Sequence, residues 1–196
     1  ILISFLGPDQ PNQFTRLMQV LSAHSLQILD VGQAVIHNQL TLGIVVASDD
    51  QTATALAMKE ILILAHDIGL TVRFKPISAT EYDQWVKEGG RTRYIVTALA
   101  PELNASHLQA VTHIVSSQGF NIETVTRLSG RPVLDGSSAG PKRACIEFGL
   151  KGQMLDAAAM RAACLRLSSE LNVDVAVQED NAYRRNRRLV CFDMDS

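Results

Sequence analysis

The fold is decided at the start of the chain, by the stretch Ile1-Leu2-Ile3-Ser4-Phe5-Leu6-Gly7-Pro8-Asp9-Gln10-Pro11-Asn12. Residues 1–6 are a short apolar run typical of a strand, and residues 7–12 are rich in turn-forming residues. Pro11 suits the first turn of a helix, where its missing N–H costs nothing. The apolar residues that follow have helical spacing, at Phe14, Leu17, Met18, Val20 and Leu21. The stretch therefore predicts a strand, a loop and a helix.

Three further segments extend this beginning. Residues 25–36 and 39–47 are rich in β-forming residues, and His37-Asn38 between them is typical of a tight hairpin. An apolar stripe then predicts a helix from Ala55 to Ile68, and Gly69 suits its C-cap. Residues 71–77 read as a closing strand. The predicted order of elements is β-α-β-β-α-β.

The same pattern recurs in the second half of the chain. The first helical stripes of the two halves lie 94 residues apart, as Leu17 and Val111 do. The second stripes lie 102 apart, as Met58 and Met160 do, because residues 129–142 form a longer hairpin loop. A duplicated domain explains this register better than chance does. We therefore predict a first domain at 1–78, a linker at 79–92, a second domain at 93–180, and a connector with the first strand of a further domain at 181–196.

The β-α-β-β-α-β order of each unit predicts an α+β fold of the ferredoxin-like type. This fold is a four-stranded antiparallel sheet with two helices on one face. The other face also carries apolar residues such as Val31 and Ile36, so it needs a cover. Pairing of the two sheets, joining of edge strands and dimerisation would each provide one. RNA-binding domains share this topology, but they stack bases on exposed aromatic residues that these strands lack. We predict that Trp85, the only tryptophan, packs the polar linker on a domain face.

Composition limits the partners and the compartment. The chain of 196 residues is 46% hydrophobic with a net charge of −2, so nothing indicates a nucleic-acid partner. No stretch approaches the roughly 20 apolar residues that span a bilayer. Cys145, Cys164 and Cys191 lie in apolar surroundings, which indicates reduced thiols. We expect a globular cytoplasmic protein that does not associate with membranes.

The last stretch, Leu189-Val190-Cys191-Phe192-Asp193-Met194-Asp195-Ser196, places two acids after an apolar run. Such a run predicts a buried strand of a parallel sheet, and chemistry gathers at the carboxyl ends of these strands. There Asp193 and Asp195 could hold a divalent cation, and one could attack a phosphorus atom while the other moves protons. The ordinary alternative for such a pair is a solvated turn.

The string Phe192-Asp193-Met194-Asp195-Ser196 resembles the opening motif of the haloacid-dehalogenase phosphatases, in the version found in bacterial phosphoserine phosphatases. The resemblance implies that Asp193 is the nucleophile and Asp195 the general acid/base. It also implies Mg²⁺ in the full enzyme, held by the Asp193 carboxylate and the Asp195 backbone carbonyl. The chain would then precede most of the catalytic domain, so we expect it to hydrolyse no phosphoserine alone.

Both units resemble ACT domains, small-molecule-sensing modules common in amino-acid metabolism. The likeness is carried by Gly7-Pro8-Asp9-Gln10-Pro11 and by Gly119-Phe120-Asn121-Ile122. It implies a ligand site formed by the first loop and the start of the second strand. Carried onto this sequence, the site residues are Asp9, Pro11, Asn12 and Gln27 in the first unit, and Asn104, Ser106 and Asn121 in the second. The second loop lacks the Asp and the Pro, which favours a shared site, and caps or turn residues are the alternative interpretation.

Together the resemblances imply the amino-acid-sensing and dimerisation region of a phosphoserine phosphatase, the enzyme that converts O-phosphoserine and water to serine and phosphate. The implied effector is L-serine or glycine, and the implied assembly is a homodimer. Two alternatives stay open. One is a stand-alone regulator with two ACT domains, resembling the glycine-cleavage repressor. The other is a dimerisation module without a ligand.

Overall fold

The computed structural model describes residues 1–90, 92–132, 143–181 and 184. The chain divides into two compact units, Ile1–Lys87 and Glu88–Ser196. The elements of the first unit are β1 (Leu2–Pro8), α1 (Gln13–Ala23), β2 (Gln27–Ile36), β3 (Gln39–Ala47), α2 (Gln51–Asp67), β4 (Thr71–Lys75) and α3 (Ala79–Gly89), of which the last two residues belong to the second unit. Those of the second are β5 (Arg93–Ala100), α4 (Ala105–Ser117), β6 (Asn121–Arg127), β7 (Ala144–Lys151), α5 (Ala157–Leu171) and β8 (Asp174–Glu179).

The two sheets have the same topology. The first has the strand order β2-β3-β1-β4 and the second has the equivalent order β6-β7-β5-β8, with antiparallel neighbours throughout. The second strand of each unit carries a bulge at the equivalent place, between Ile28 and Asp30 in β2 and between Ile122 and Thr124 in β6. The predicted hairpin is confirmed, since His37 and Asn38 join β2 to β3. The predicted fold class, two ferredoxin-like α+β units, is confirmed.

The core of the first unit lies between its sheet and the helices α1 and α2. Alternation along β1 turns Ile3 and Phe5 inward, and helical spacing brings Leu17 and Ile61 against them. All four side chains are 0–1% exposed. Burial of such a side chain contributes about 1.5–3 kcal/mol, so this apolar periodicity supplies most of the stability of the unit.

The second unit has a core of its own on the same plan. Val96 and Phe148 from the sheet pack with Val111 and Met160 from the helices. Cys164 lies in this core, and its burial raises the pKa of the thiol. The thiol therefore stays neutral and behaves as a small apolar side chain. Cys145 and Cys164 are both free of disulfides, and Cys191 lies outside the described residues.

Gly7 fixes how closely β1 approaches the end of α2. A Cβ at this position would stand 2.7 Å from the Gly69 carbonyl oxygen and 2.8 Å from Cδ2 of Leu70. Gly69 itself has φ +73°, the left-handed conformation that a glycine after a helix adopts readily. The glycine at position 7 therefore has a packing role in bringing α2 close to the loop that follows β1.

The segment predicted as a linker, 79–92, contains the helix α3. Its start is a capping box, in which Ser78 Oγ accepts from the Glu81 N–H at 3.2 Å. In return, Glu81 Oε2 accepts from the Ser78 N–H at 2.8 Å. On the helix, the rings of Tyr82 and Trp85 contact each other with centroids 5.8 Å apart. The two hydrogen bonds between Ser78 and Glu81 explain why a segment of mostly polar composition can begin a helix.

Arg184, the one described residue after Asn181, contacts the second sheet. The Arg184 N–H donates to Asn181 Oδ1 at 3.1 Å, and its guanidinium donates to Glu147 Oε2 at 2.8 Å. A further ion pair joins Arg184 to Asp180 at 3.6 Å. Residue 184 is therefore held against β7, and its side chain is partly buried.

Candidate functional site

The loop between β1 and α1 ends in an open helix start. Asn12 has φ 68°, a left-handed conformation, and its side chain makes no capping bond within residues 1–90. The Asn12 carbonyl still accepts from the Arg16 N–H at 3.0 Å, so the helix begins directly after it. A helix start carries unsatisfied N–H groups and a partial positive charge. The first turn of α1 contains no acidic residue that would offset this charge.

Gln13 holds this loop in place. Its side chain is buried, only 3% exposed. Nε2 donates to the carbonyl oxygens of Pro8 at 3.1 Å and Ile68 at 3.3 Å, and Oε1 accepts from the Gln10 N–H at 3.0 Å. Apolar spacing and the resemblance to ACT domains do not point to Gln13. The available signal was the spacing of Gln10 and Gln13, which is that of a capping box without its hydroxyl residue.

Asp9 lies at the surface of the same loop. Its backbone N–H donates to the Asn38 carbonyl at 2.8 Å, which ties the loop to the turn between β2 and β3. The side chains of Asp9, Pro11 and Asn12 are all exposed. The three predicted residues of this loop are thus brought together beside the open helix start.

In the second unit, the equivalent loop ends in a helix start that is capped by side chains. Asn104 Oδ1 accepts from the His107 N–H at 3.1 Å and from Ser106 Oγ at 2.7 Å. His107 Nδ1 accepts in turn from the Asn104 N–H at 3.4 Å, which completes a capping box. Asn104 and Ser106 are therefore brought together, but their polar atoms already serve the helix. This fits the alternative interpretation of Asn104 as a cap.

The two predicted strand-start residues lie far from these loops. Gln27 begins β2 and pairs with Ala47, whereas Asp9 contacts the turn at the other end of β2. With ten residues, β2 is about 30 Å long. Asn121 likewise begins β6 and pairs with Lys151, which pairs with Arg93 at the start of β5, whereas the Asn104 loop follows the end of β5. Neither unit by itself brings its strand-start residue and its loop into one site.

The predicted catalytic and metal-binding residues, Asp193 and Asp195, lie outside the described residues. Within the ranges that the structure describes, no group of three or more His, Cys, Asp or Glu side chains is placed to hold a metal ion. The described helices also include none that is long and apolar enough to cross a membrane.

Each unit has the ACT-type arrangement of a four-stranded antiparallel sheet and two helices. Residues 1–75 match the ACT domain family, which confirms that resemblance for the first unit. The curated relatives include phosphoserine phosphatase SerB2 of Mycobacterium tuberculosis, 28% identical over 197 residues, and a phosphoserine phosphatase of Streptomyces coelicolor, 27% identical over 202. Each match covers 100% of this chain and 44% of the relative, so the chain spans less than half the length of these enzymes. The resemblance to phosphoserine phosphatases is thereby confirmed.

Two solved structures share the fold over both units. One is an unknown protein from Galdieria sulphuraria, 14% identical, with a TM-score of 0.64 over 91% of this chain and 96% of that one. The other is a putative glycine cleavage system transcriptional repressor, 10% identical, with a TM-score of 0.58 over 91% and 95%. At these identities the likeness concerns the fold alone.

Proposed function

We propose that this chain is the amino-acid-sensing and dimerisation region of a phosphoserine phosphatase. The curated relatives carry that name, and the first unit matches a family of ACT domains. In the complete enzyme, Asp193 would attack the phosphorus of O-phosphoserine and Asp195 would move the proton. Mg²⁺ would be held by the Asp193 carboxylate and the Asp195 carbonyl. The compartment that fits such a biosynthetic enzyme is the cytoplasm.

The observation that carries the sensing proposal is the open start of α1. Asp50, Asn104 and Asp156 cap α2, α4 and α5 with their own side chains, whereas the Asn12 side chain does not cap α1 within residues 1–90. Backbone N–H groups at a helix start bind a carboxylate well. The exposed carboxylate of Asp9 lies in the same loop and can accept from an ammonium group. A small α-amino acid, L-serine or glycine, has both groups at the required short separation.

Dimerisation is the second part of the proposal. Gln27 and Asn121 are at the far ends of their strands from the loops, so a site that uses both kinds of residue needs a second unit to complete it. A homodimer would supply that unit. Light scattering at micromolar concentration is expected to give twice the mass of the chain, and a monomer mass would remove this part of the proposal.

Calorimetry tests the sensing proposal directly. L-Serine or glycine at millimolar concentration is expected to give a binding heat with the wild-type chain. Asp9→Ala is expected to weaken binding at least tenfold, since a charged hydrogen bond contributes about 1.5–3 kcal/mol. The matched control is Asp49→Ala, which removes another exposed aspartate of the first unit and should leave the affinity unchanged. Absence of heat with both amino acids, or an equal effect of the two variants, would contradict the assignment.

A further inference from the structure

The third helix of the first unit forms a cleft with the sheet face that α1 and α2 leave uncovered. The cleft encloses about 370 Å³. Its apolar lining comes from Leu2, Val45 and Ile77, and its wall on α3 is formed by Tyr82 and Trp85. Ligand pockets in proteins range from about 300 to 1,000 Å³ and are mostly apolar and aromatic with a few polar groups. The α3 cleft, as we name it, has the size and lining of a site for a small molecule.

Two opposite charges lie at the ends of the floor of this cleft. Asp30 pairs with Val45, Val45 with Leu2, and Leu2 with Lys75, so these four residues form one row across the four strands. Residues paired across antiparallel strands lie on the same sheet face. Strands are spaced about 4.8 Å apart, so the Cα atoms of Asp30 and Lys75 are separated by roughly 14 Å. The row therefore runs from an acidic residue, through two apolar residues, to a basic residue.

The two terminal charges are available to a ligand. Within the described ranges, neither the Asp30 carboxylate nor the Lys75 ammonium has a hydrogen-bond or ion-pair partner. The third charged group of the cleft, Glu81, is different because its carboxylate accepts from the N–H and the hydroxyl of Ser78, both at 2.8 Å. Lys75 lies close enough to Glu81 to help lower the pKa of that carboxyl. The available acceptor is thus Asp30, and Lys75 is the available donor at the opposite end.

The aromatic wall favours a flat body between these charges. The rings of Tyr82 and Trp85 are inclined at 47° to each other. Trp85 keeps 46% of its surface exposed although it lines the cleft, so its ring can still be covered by a bound molecule. Aromatic faces stack on flat apolar groups and also attract a nearby ammonium.

We propose that the α3 cleft binds a small zwitterion whose ammonium and carboxylate stand at opposite ends of a flat apolar body. The ammonium pairs with Asp30, the body lies over Val45 and Leu2 beneath Trp85, and the carboxylate pairs with Lys75. An α-amino acid fits less well because it carries both charges at one end. The cleft is also separate from the open start of α1, which lies at the other end of β1, so this proposal does not depend on the sensing of L-serine.

Fluorescence of the single tryptophan tests the proposal on the wild-type chain. The probe is 4-(aminomethyl)benzoate, a rigid ring with an ammonium arm at one end and a carboxylate at the other. We expect it to change Trp85 emission saturably and to give a matching heat in calorimetry. Benzylamine and 4-methylbenzoate, each lacking one charge, and L-phenylalanine, with both charges at one end, should each bind more weakly. Equal binding of the four compounds, or no saturable signal at millimolar probe, would overturn the proposal.

Charge variants give the second test. Lys75→Ala and Asp30→Asn are each expected to weaken probe binding about two- to fivefold, the range for a largely exposed ion pair. Lys59→Ala on α2 is the matched control, because it removes an exposed lysine outside the cleft, and it should not change the affinity. Lys75→Ala should also abolish the preference for the probe over benzylamine. If both charge variants bind like the control, or if that preference persists in Lys75→Ala, the proposed orientation is wrong. Should a variant fail to fold, the compound series on the wild type still decides the matter.

Discussion

Replacing Gln13 by alanine is expected to unfold the first unit more easily and to loosen the proposed effector loop. The side chain is 3% exposed and joins three backbone segments, through Pro8, Ile68 and Gln10. Alanine removes all three hydrogen bonds and leaves two carbonyl groups and one N–H without these partners. At about 1 kcal/mol for each net bond, the expected loss of unfolding free energy is about 3 kcal/mol.

Urea unfolding followed by tryptophan fluorescence measures the unfolding free energy of the first unit. The only tryptophan, Trp85, lies in the first unit, so its emission reports on that unit within the intact chain. The unfolding midpoint should fall while the slope of free energy against urea stays constant. L-Serine binding should weaken in parallel, because the loop that carries Asp9 is no longer held.

Two further substitutions sharpen the interpretation. Gln10→Ala is the control, since position 10 contributes only its backbone N–H to Gln13, and it should change stability by no more than about 0.5 kcal/mol. Gln13→Glu keeps the acceptor for Gln10 but sets a carboxylate against the carbonyl oxygens of Pro8 and Ile68, so it should cost more than alanine. A loss below about 0.5 kcal/mol for Gln13→Ala would refute the view that this side chain organises the loop.

Three other outcomes are expected. Gly7→Ala should destabilise the first unit by about 1–3 kcal/mol, because its Cβ would meet backbone at 2.7 Å, whereas Gly32→Ala, with nothing within 4 Å, should be nearly neutral in urea unfolding. Hydrogen bonds from the backbone and then the side chain of the helix cap hold the pKa of Glu81 below its ordinary 4.5. The stabilisation of α3 by this carboxylate is therefore complete above about pH 4.5 and is lost as the pH falls through the lowered value. Trp85 emission should shift on acidification in the wild type and much less in Glu81→Gln. Gln10→Asn should cap α1 as the second unit caps α4, raising the unfolding free energy by about 0.5–1 kcal/mol and weakening L-serine binding in calorimetry.

The elements that pack into a core could be predicted from the spacing of their apolar residues, whereas α3, which adds no fully buried residue to a core, was predicted as a linker. Strand β3 and helix α1 each turn one regular set of apolar residues into the core, so their type follows from spacing alone. Helix α3 buries no residue fully. Its sequence carries two helix signals, the Ser78-x-x-Glu81 capping box and the helical spacing of Tyr82, Trp85 and Val86, but its mostly polar composition favoured a linker.

The residue types of the candidate loop follow from the sequence, whereas the distances between the predicted residues depend on the fold. Loop residues such as Asp9 follow from turn chemistry and the resemblance to ACT domains. The resemblance to ACT domains groups Gln27 with them, yet a ten-residue strand separates Gln27 from the loop within one unit. Gln13 was missed because a glutamine at a helix start is ordinary in sequence. Only its burial, which depends on residues 55 positions away, makes it an anchor.

One hydrogen bond shows how the two units diverged. The Gln10 N–H donates to the side chain of Gln13, and the Asn104 N–H donates to the side chain of His107, at positions 94 residues apart in both cases. This is the same interval that separates the helical stripes, so the bond belongs to the common plan of the repeat. At Asn104, a short side chain also accepts from the helix, and α4 can start directly. In the first unit the longer Gln10 makes no such cap within residues 1–90, and α1 starts only after Asn12 has turned to a positive φ. The two copies therefore differ in the residue at this position, in whether its side chain caps the helix within the described residues, and in where the helix begins. Gln10→Asn tests whether this one position decides where the helix begins.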